Sequence, residues 1–293
     1  MKVLIAISSK QYSGSTLDVG MNISRVLKSS TTIVDVGDKI SEFNSKDINL
    51  VNEIMDTWNI DRPGVDVLEW AYNYLVQNKF IKSKSAVEGF PKHMFLGNDK
   101  RAEVLLEGSA KKNLNLILRN GDIIEELRNE VNSYDYDLTI IGGSGRKGMA
   151  HDLVQYIDSS IFLVNDFSMN KDYNILLAVN NSISTPKAIK YGVRVSQALS
   201  KKVNLLYVSE EKDEKGNDTK AVHRAEKMLR RCGVNFTTHI REGDPVDTIV
   251  ESAGHDHIII MGASTQSPLK KFFIGSKPLS VIGRSHCPTL VVK

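Results

Sequence analysis

The segment MGASTQSPLKKFFIGS, residues 261–276, has glycines and hydroxyl side chains at its two ends. Gly262 directly follows the apolar run HIIIM (257–261), where a glycine can take a positive φ and let a ligand approach the backbone. Gly275 and Ser276 precede a short helical pattern, whose free N–H groups and dipole favour an anion. Three lysines add positive potential: Lys270, Lys271 and Lys277. The pattern predicts either a loop that wraps a phosphate or a capped surface loop whose lysines face water.

The histidine pair in HDH (255–257) and the two cysteines do not predict a metal site. His255 and His257 in HDH have no third ligand near them in sequence, so a polar lead-in to the next strand is favoured over metal binding. Cys232 and Cys287 show no CxxC spacing, which argues against a disulfide scaffold and against zinc. We expect Cys287, which stands before a proline and an apolar run, to be a buried thiol.

No residue pattern predicts catalysis either. Asp122 and Asp244 each follow a glycine and precede a helical pattern, so we expect them to be helix N-caps rather than catalytic acids. No serine, cysteine or lysine has an evident base partner, and nothing therefore predicts a nucleophile.

The composition is that of a soluble globular protein with room for about two domains. The chain has 293 residues, 41% hydrophobic and 25% charged, and a formal net charge of +3. This charge gives no reason to expect a nucleic-acid or membrane partner, and no apolar run approaches the ~20 residues of a membrane span. The opening MKVLIAISSK predicts a first strand rather than a secretory signal. With only two cysteines, we expect a cytoplasmic protein.

An internal duplication organises the chain. KVLIAISS (2–9) matches NILLAVNN (174–181) at an offset of 172, and TTIVDV (31–36) matches VNLLYV (203–208) at the same offset. The strands are short continuous apolar runs, typical of a parallel sheet covered by helices on both faces. We therefore predict an α/β fold of two doubly wound parallel-sheet domains with five strands each, residues 1–168 and 169–293.

The two copies differ in two places. The first carries about 50 extra residues, which predict a mostly helical insertion at about 38–107 with a helix over 64–80. We expect the aromatic side chains of this insertion to pack over the first sheet rather than to form a partner surface or a lid: Trp58, Trp70, Tyr72 and Tyr74. In the other place, the first copy is eight residues shorter between Gly142 and the last strand, which shortens its phosphate loop.

These features resemble the universal stress proteins in their tandem form, over almost all of the second half and about two thirds of the first. Nucleotide-binding members carry Gly, two residues, Gly, nine residues, then Gly-Ser or Gly-Thr. Gly262, Gly275 and Ser276 match this spacing, whereas Thr265 replaces the second glycine and Asn180 replaces a strand-end aspartate. The resemblance implies that an adenine nucleotide contacts a set of residues in the second half: Ala178, Asn180, Val208, Met261, Gly262, Thr265, Gly275, Ser276 and Lys277.

The first copy matches the same pattern less well. Gly142 and Gly145 match the first two glycines, but the spacing then places Gln155 and Tyr156 at the Gly-Ser positions, and Ser8 replaces the aspartate. We expect GGSGRKG (142–148) to hold at most a single anion, and the first half to be a structural or dimerising partner.

The resemblance implies a cytoplasmic stress-response protein that is regulatory or protective rather than an enzyme. The resemblance further implies that the protein binds ATP, ADP or AMP in its C-terminal half and has no metal of its own. One alternative is an interaction module without nucleotide that uses the N-terminal insertion, and a weak ATPase is another. The edge strand TLVVK (289–293) predicts either a homodimer or pairing between the two halves of one chain.

Overall fold

The computed structural model describes residues 1–11, 13–37, 64–81, 89–90, 96–98, 101–107, 113–142, 147–164, 167–168, 171–209, 219–263 and 277–293. The strands are β1 Lys2–Ile7, β2 Ser30–Gly37, β3 Leu96–Asn98, β4 Arg101–Glu107, β5 Asn113–Asn120, β6 Leu138–Gly142, β7 Ser160–Val164, β8 Asn174–Val179, β9 Val203–Ser209, β10 Phe236–Glu242, β11 His257–Gly262 and β12 Thr289–Val292. The helices are α1 Ser13–Leu27, α2 Val65–Gln77, α3 Ile123–Tyr134, α4 Lys147–Tyr156, α5 Thr185–Leu199, α6 Thr219–Arg231, α7 Pro245–Ala253 and α8 Lys277–Arg284.

The described strands form one sheet in the order β10-β9-β8-β11-β12-β7-β6-β1-β2-β5-β4-β3. Within the C-terminal half the strands run parallel in the order β10, β9, β8, β11, β12, which is third, second, first, fourth and fifth in chain order. The N-terminal half repeats this order, with β4 and β3 added antiparallel beside β5. The predicted fold of two duplicated α/β units is confirmed, although the two units share a single sheet.

An antiparallel strand pair joins the two halves. β12 pairs with β7 so that Leu290 lies opposite Phe162, and this is one of the two arrangements expected for that edge. On one face of the sheet α1 packs against α5, and Tyr191 donates a hydrogen bond of 3.1 Å to the carbonyl of Asp137. On the other face α4 packs against α8, where a Cβ on Gly283 would lie only 3.4 Å from His151 Nε2. The halves are therefore joined through all three layers.

Helices cover both faces of the sheet, and the first helix of each half packs closely on its first strand. A Cβ on Gly20 of α1 would lie 2.5 Å from Ile5 Cδ1, and one on Gly192 of α5 would lie 3.0 Å from Leu177 Cδ2. Both pairs are related by the offset of 172, so the duplication preserves this helix–strand contact. None of the helices that the structure describes is long and apolar enough to cross a membrane.

The predicted N-caps are confirmed. Asp122 accepts hydrogen bonds of 3.0 Å from the backbone N–H groups of Ile124 and Glu125. Asp244 accepts bonds of 2.9 Å from the equivalent groups at the start of α7. The preceding glycines have φ values of 151° and 135°, which a side chain would strain. Both aspartates therefore serve the helix starts, where their charge also complements the helix dipole.

The extra residues of the first half form two insertions rather than one. Helix α2 covers β2 and β5 as α6 covers β9 and β10, so it belongs to the duplicated unit. Between β2 and α2 there are 27 residues (38–64), whereas the equivalent connection between β9 and α6 has nine. Between α2 and β5 there are 35 residues (78–112), whereas the connection between α6 and β10 has four. The sequence analysis did not foresee β3 and β4, which lie in the second insertion. The helix predicted over 64–80 is confirmed as Val65–Gln77.

The aromatic side chains of α2 pack over the first sheet, as expected. Tyr72 is fully buried, and Trp70 and Tyr74 are partly buried against the same core. Trp58 lies outside the described residues.

A buried ionic cluster ties the inserted strand β4 to the first half. Glu130 on α3, which has no exposed surface, accepts hydrogen bonds from Arg119 Nε (2.7 Å), Arg101 Nε (3.1 Å) and the Tyr136 hydroxyl (3.0 Å). Arg119 also donates to Glu126 at 2.7 Å. Because Arg119 lies on β5 and Arg101 on β4, one carboxylate holds two strands to one helix.

Replacing Glu130 with alanine should therefore destabilise the protein strongly. The change leaves two guanidinium groups and one phenol without their shared acceptor in a buried place, a loss that typically costs about 3–5 kcal/mol. Urea unfolding measures it, and Glu125→Ala on the exposed face of the same helix is the control, expected within about 0.5 kcal/mol of wild type. Equal effects of the two changes would contradict the role given to Glu130.

A second buried carboxyl, that of Asp35 on β2, has no such cation among the described residues. Burial and the nearby charge of Asp66 raise the pKa of Asp35 to about 7, against a backbone hydrogen bond at Val36 that lowers it. Asp66 itself lies 3.5 Å from Lys10 Nζ. A Cβ on Gly64, at the start of α2, would lie 2.4 Å from Asp35 Oδ2, so the carboxyl packs directly beneath the helix start.

The pH dependence of stability should reveal Asp35. Its folded-state pKa lies above the unfolded value of 3.8, so the native state binds more protons between those values and the free energy of unfolding falls as pH rises. Asp35→Asn removes this loss, and its stability relative to wild type should increase by about 2–3 kcal/mol from pH 5 to pH 8. Urea unfolding at both pH values measures the change, with Asp66→Asn expected to remove only part of it. A pH-independent difference would refute the assignment.

Candidate functional site

The strand order of the C-terminal half reverses between β8 and β11. From β8 the chain winds to β9 on one side, and the fourth strand, β11, pairs with β8 on the other. Ligands of open parallel sheets bind in the crevice at such a reversal, outside the carboxyl ends of the strands. Ala178 lies opposite Met261 in the pairing, so Asn180 and Gly262, which follow these residues, meet at the mouth of this crevice.

The structure places the apolar predicted site residues on one face of the sheet. Ala178, Val208 and Met261 belong to or pack against one core cluster that α7 and α8 cover. Lys277 is the first residue of α8 and is exposed. Because α8 connects β11 to its parallel neighbour β12, its first residue lies at the carboxyl end of the sheet. Five predicted residues lie outside the described residues: Thr265, Lys270, Lys271, Gly275 and Ser276.

Asn180 organises the loop that leads into α5. Its side-chain oxygen accepts hydrogen bonds from the Ser182 backbone N–H (3.1 Å) and from the Thr185 hydroxyl (2.8 Å). The side-chain acceptor of Asn180 is therefore used within the loop. The amide N–H groups of Asn180 have no partner among the residues that the structure describes, and they are the groups left for a ligand.

Ser184 links this loop to the end of β11. Its hydroxyl donates a hydrogen bond of 2.7 Å to the carbonyl of Ala263 and lies 3.2 Å from the Ser182 hydroxyl. A Cβ on Gly262 would lie only 2.3 Å from Ser184 Oγ. Gly262 does not adopt the positive φ that the sequence analysis allowed for it. The glycine is therefore required because Ser184 approaches its backbone, which is a different reason from the one expected.

The hydroxyl groups of this loop were missed by sequence reasoning. Ser182, Ser184 and Thr185 form a chain of hydrogen bonds across the strand reversal, in which the Ser182 and Thr185 hydroxyls lie 3.1 Å apart. A signal was present in the sequence, because NNSIST (180–185) places three hydroxyls in six residues between a strand and a helix. Among the described residues, this arrangement can bind polar groups of a ligand by hydrogen bonding.

The other sequence candidates have structural roles. His257 is buried, and its Nδ1 lies 2.8 Å from Asp256 Oδ1 while its Nε2 lies 2.7 Å from Asn204 Nδ2. These contacts fit the predicted polar lead-in to β11. Cys287 is buried as predicted, with its sulfur 3.3 Å from the Gly254 carbonyl, and Cys232 is exposed. No group of three metal-ligating side chains occurs among the described residues.

The equivalent place in the N-terminal half lies at the ends of β1 and β6. Strand pairing makes Ile140 equivalent to Ile260 and Phe162 equivalent to Leu290, so Met149 of α4 occupies the position of Lys277 in α8. The prediction that Gln155 and Tyr156 occupy the Gly-Ser positions, which came from counting forward from Gly142, is therefore wrong. These two residues end α4 instead of forming its start. Ser8 follows β1 as expected, and Gly145 lies outside the described residues.

The contact between Gly262 and Ser184 can be tested by a double-mutant cycle. Gly262→Ala should destabilise the protein by about 1–3 kcal/mol, because its methyl group overlaps the Ser184 hydroxyl. Ser184→Gly removes the obstructing atoms, so the double variant should be more stable than the sum of the two single changes predicts. Thermal and urea unfolding measure the coupling. Simple additivity of the two changes would show that the contact does not explain the glycine.

Comparison with known proteins shows what the chain is similar to. The model of the universal stress protein family matches residues 173–293. A universal stress protein of Methanocaldococcus jannaschii is 28% identical over 139 residues, which cover 41% of this chain and 81% of that protein.

Two solved structures of universal stress proteins are among those similar to the chain. A universal stress protein from Archaeoglobus fulgidus is 15% identical and matches 100% of this chain and 96% of its own, with a TM-score of 0.62. That match extends over both halves. A shorter structure, the universal stress protein from Archaeoglobus fulgidus in complex with dAMP, is 20% identical and covers 41% of this chain and 98% of that chain, with a TM-score of 0.34.

Proposed function

We propose that the C-terminal half, where residues 173–293 match the universal stress protein family, binds an adenine nucleotide (ATP, ADP or AMP). The bound nucleotide regulates a protective role in the response to stress, and the protein does not turn it over. One observation carries this proposal. The winding of the C-terminal sheet reverses between β8 and β11, and Asn180, Gly262 and Lys277 stand around that point.

The base and the ribose fit the side of the crevice nearest β8 and β9. Ala178 and Val208 are partly buried and provide an apolar surface near the strand ends, with Met261 beside them. The amide N–H groups of Asn180 can donate to a ribose or base oxygen or nitrogen. Since Asn180 has no charge, the ribose contact in this chain is a neutral hydrogen bond, weaker than one to an aspartate.

The phosphates fit the side of the crevice nearest β11 and the start of α8. Lys277 provides a cation there, at the first position of α8, where the helix dipole also favours an anion. Pro278 at the second helical position provides no N–H, so the helix offers one donor fewer than usual. In this proposal Thr265, Gly275 and Ser276 complete the phosphate loop.

The contacts of the described site support a regulatory role. Arg284 pairs with Asp247 at 2.5 Å, so the acid on α7 near α8 is engaged by a cation. The hydroxyls of the Asn180 loop bond to one another, to the Asn180 side chain and to a backbone carbonyl, and none of them is paired with a base within the described part of the chain. A nucleotide that binds only the native state stabilises it by RT ln(1 + [L]/Kd), about 2.7 kcal/mol at a hundredfold excess over Kd.

Calorimetric titration with ATP, ADP and AMP tests the proposal. We expect saturable binding, with Lys277→Glu weakening ATP more than AMP because the lysine contacts the phosphates that AMP lacks. A loss of about tenfold corresponds to about 1.4 kcal/mol, within the range of a charge-assisted hydrogen bond.

The matched control is Lys227→Glu, the same charge change at an exposed position on α6. It should leave the affinity for all three nucleotides unchanged. Absence of binding by the wild-type protein at millimolar nucleotide would reject the nucleotide proposal. Phosphate release above a buffer blank would instead support the weak ATPase.

A further inference from the structure

Strand β10 is the edge of the described sheet in the C-terminal half. It has seven residues, whereas β3, at the opposite edge of the twelve-stranded sheet, has three. The side chains from His239 to Glu242 are exposed, and that of Ile240 is 59% exposed. An edge strand presents backbone donors and acceptors with which another strand can pair. β10 is therefore the longer of the two edges at which the described sheet can accept a further strand.

The backbone groups of β10 point alternately toward β9 and toward the edge. Just before the strand, the carbonyl of Asn235 accepts a hydrogen bond of 3.0 Å from the N–H of Val203 on β9. Just after it, the N–H of Gly243 donates a bond of 3.0 Å to the carbonyl of Ser209 on β9. Because these directions alternate along a strand, the even-numbered residues of β10 point their N–H and C=O groups toward the edge: Phe236, Thr238, Ile240 and Glu242.

The equivalent edge of the N-terminal half is covered by an antiparallel strand. Gly121 after β5 and Gly243 after β10 both donate to the last residue of the neighbouring strand, so the two edges are equivalent at an offset of 122. β4 runs antiparallel along β5. Leu118 of β5 has no exposed surface, whereas its equivalent on β10, Ile240, is 59% exposed. The duplicated unit therefore accommodates an added strand at this edge, and β10 exposes an apolar side chain there.

An arginine that is bound by two acids in the first half lacks those acids in the second. Arg119, near the end of β5, pairs with two glutamates of α3, each at 2.7 Å. Its equivalent at the offset of 122 is Arg241, and Thr248 and Ser252 stand where the two glutamates would be. Arg241 is exposed. Its guanidinium group is therefore placed to pair with an acid that comes from outside the duplicated unit.

The helix that contacts this edge is basic. The acid of α6, Glu226, accepts hydrogen bonds from Thr238 and Arg230. Against this acid, α6 has five exposed cations: Lys220, Arg224, Lys227, Arg230 and Arg231.

This charge disfavours a second copy of the chain at the edge. An antiparallel pair of β10 strands places the two α6 helices side by side on one face of the joined sheet, as α1 and α5 lie at the junction of the two halves. Like charges of the two helices then oppose pairing of two copies. The same charges attract an acidic segment.

From these observations we propose that β10 binds an acidic, extended segment of a partner protein as an added antiparallel strand. Main-chain hydrogen bonds to the even-numbered residues provide affinity, and alternate side chains provide specificity. An acid opposite Arg241 forms a cross-strand ion pair, and an apolar residue opposite Ile240 covers that side chain. The position opposite His239 corresponds to Glu103 of β4, which accepts a hydrogen bond of 2.8 Å from Asn115 of the edge strand β5, so a second acid fits there.

Fluorescence anisotropy with the full chain tests this proposal. The probe is a fluorescein-labelled peptide, Glu-Val-Glu-Val-Thr-Val, whose residues lie in this order opposite Arg241 to Phe236. We expect saturable binding. The matched peptide with lysine in place of both glutamates should bind about tenfold more weakly, because it places cations beside Arg241 and α6.

Two N-methylated probes distinguish strand addition from non-specific charge attraction. The N–H groups of the three valines face β10 in the proposed pairing, so N-methylation of all three removes the hydrogen bonds and should weaken binding about tenfold or more. N-methylation of the two glutamates and the threonine adds the same number of methyl groups on the side that faces away. This control probe should bind within about threefold of the parent peptide.

A pair of arginine variants locates the binding. Arg241→Gln should weaken the parent peptide about fivefold, the upper range for an exposed ion pair. Arg128→Gln makes the same change at an exposed arginine on α3 and should leave the affinity unchanged. Thermal unfolding without peptide checks that both variants are folded.

Four results would overturn the proposal: no saturable binding at millimolar peptide, equal affinity of the two N-methylated probes, equal affinity of the glutamate and lysine peptides, or equal effects of the two arginine variants. Sedimentation velocity of the chain alone provides a further test. A dimer that Ile240→Asp dissociates would assign the edge to a second copy and reject the acidic segment. These outcomes are independent of nucleotide binding, because β9 separates β10 from the strand reversal between β8 and β11.

Discussion

The antiparallel pairing of β7 with β12 determines how the two halves can act. Strands within the core of each half run parallel, so an antiparallel pair at the centre makes the two sets of carboxyl ends point in opposite directions. Ligand sites of open α/β sheets lie at those ends. The two crevices therefore open at opposite edges of one sheet, and a single small ligand cannot bridge them. Each half must be explained by its own lining residues.

The duplication has preserved contacts that build the scaffold and changed those that line the crevices. Close packing of Gly20 on Ile5 recurs as Gly192 on Leu177. Left-handed residues also recur after the first helix of each half, at Lys28 and Ser200. These positions are constrained because a change in either would disturb the contact between helix and strand.

The crevice positions follow no such rule. Ser8 corresponds to Asn180 and Met149 to Lys277, changes that alter hydrogen bonding and charge at the strand ends. Ser8 and Asn180 are both exposed, whereas Met149 is partly buried against the core and Lys277 is exposed. The scaffold thus accommodates different chemistry at equivalent positions of its two halves.

Local patterns in the sequence predicted most of the fold. Continuous apolar runs identified the strands, the offset of 172 identified the duplication, and Gly-Asp pairs identified the caps at Asp122 and Asp244. Such features depend on residues close together in the chain. The sequence did not predict that the extra residues lie on both sides of α2. The equivalence of α2 and α6 is shown by the strands that these helices contact and not by their sequences.

Features that depend on distant residues could not be predicted. Ser184 and Gly262 are 78 positions apart, and the sequence contains nothing that pairs them before the strands β8 and β11 are placed side by side. The same holds for Glu130, whose partners Arg101 and Arg119 lie on two other elements. The reason for a glycine or a buried acid therefore came from the structure, even where its position had been noted.

Electrostatics distinguishes the ends of the two halves of the sheet although the halves share a fold. A phosphate taken from water needs cations and N–H donors in return, since an unpaired buried charge is far costlier than a buried methyl group. The C-terminal half has Lys277 and a connection of 14 residues between β11 and α8 from which such donors can come. In the N-terminal half four residues remain in that connection, and a methionine stands where the lysine was. At this pair of equivalent positions, the lysine of the C-terminal half can balance the charge of a phosphate, whereas the methionine of the N-terminal half cannot.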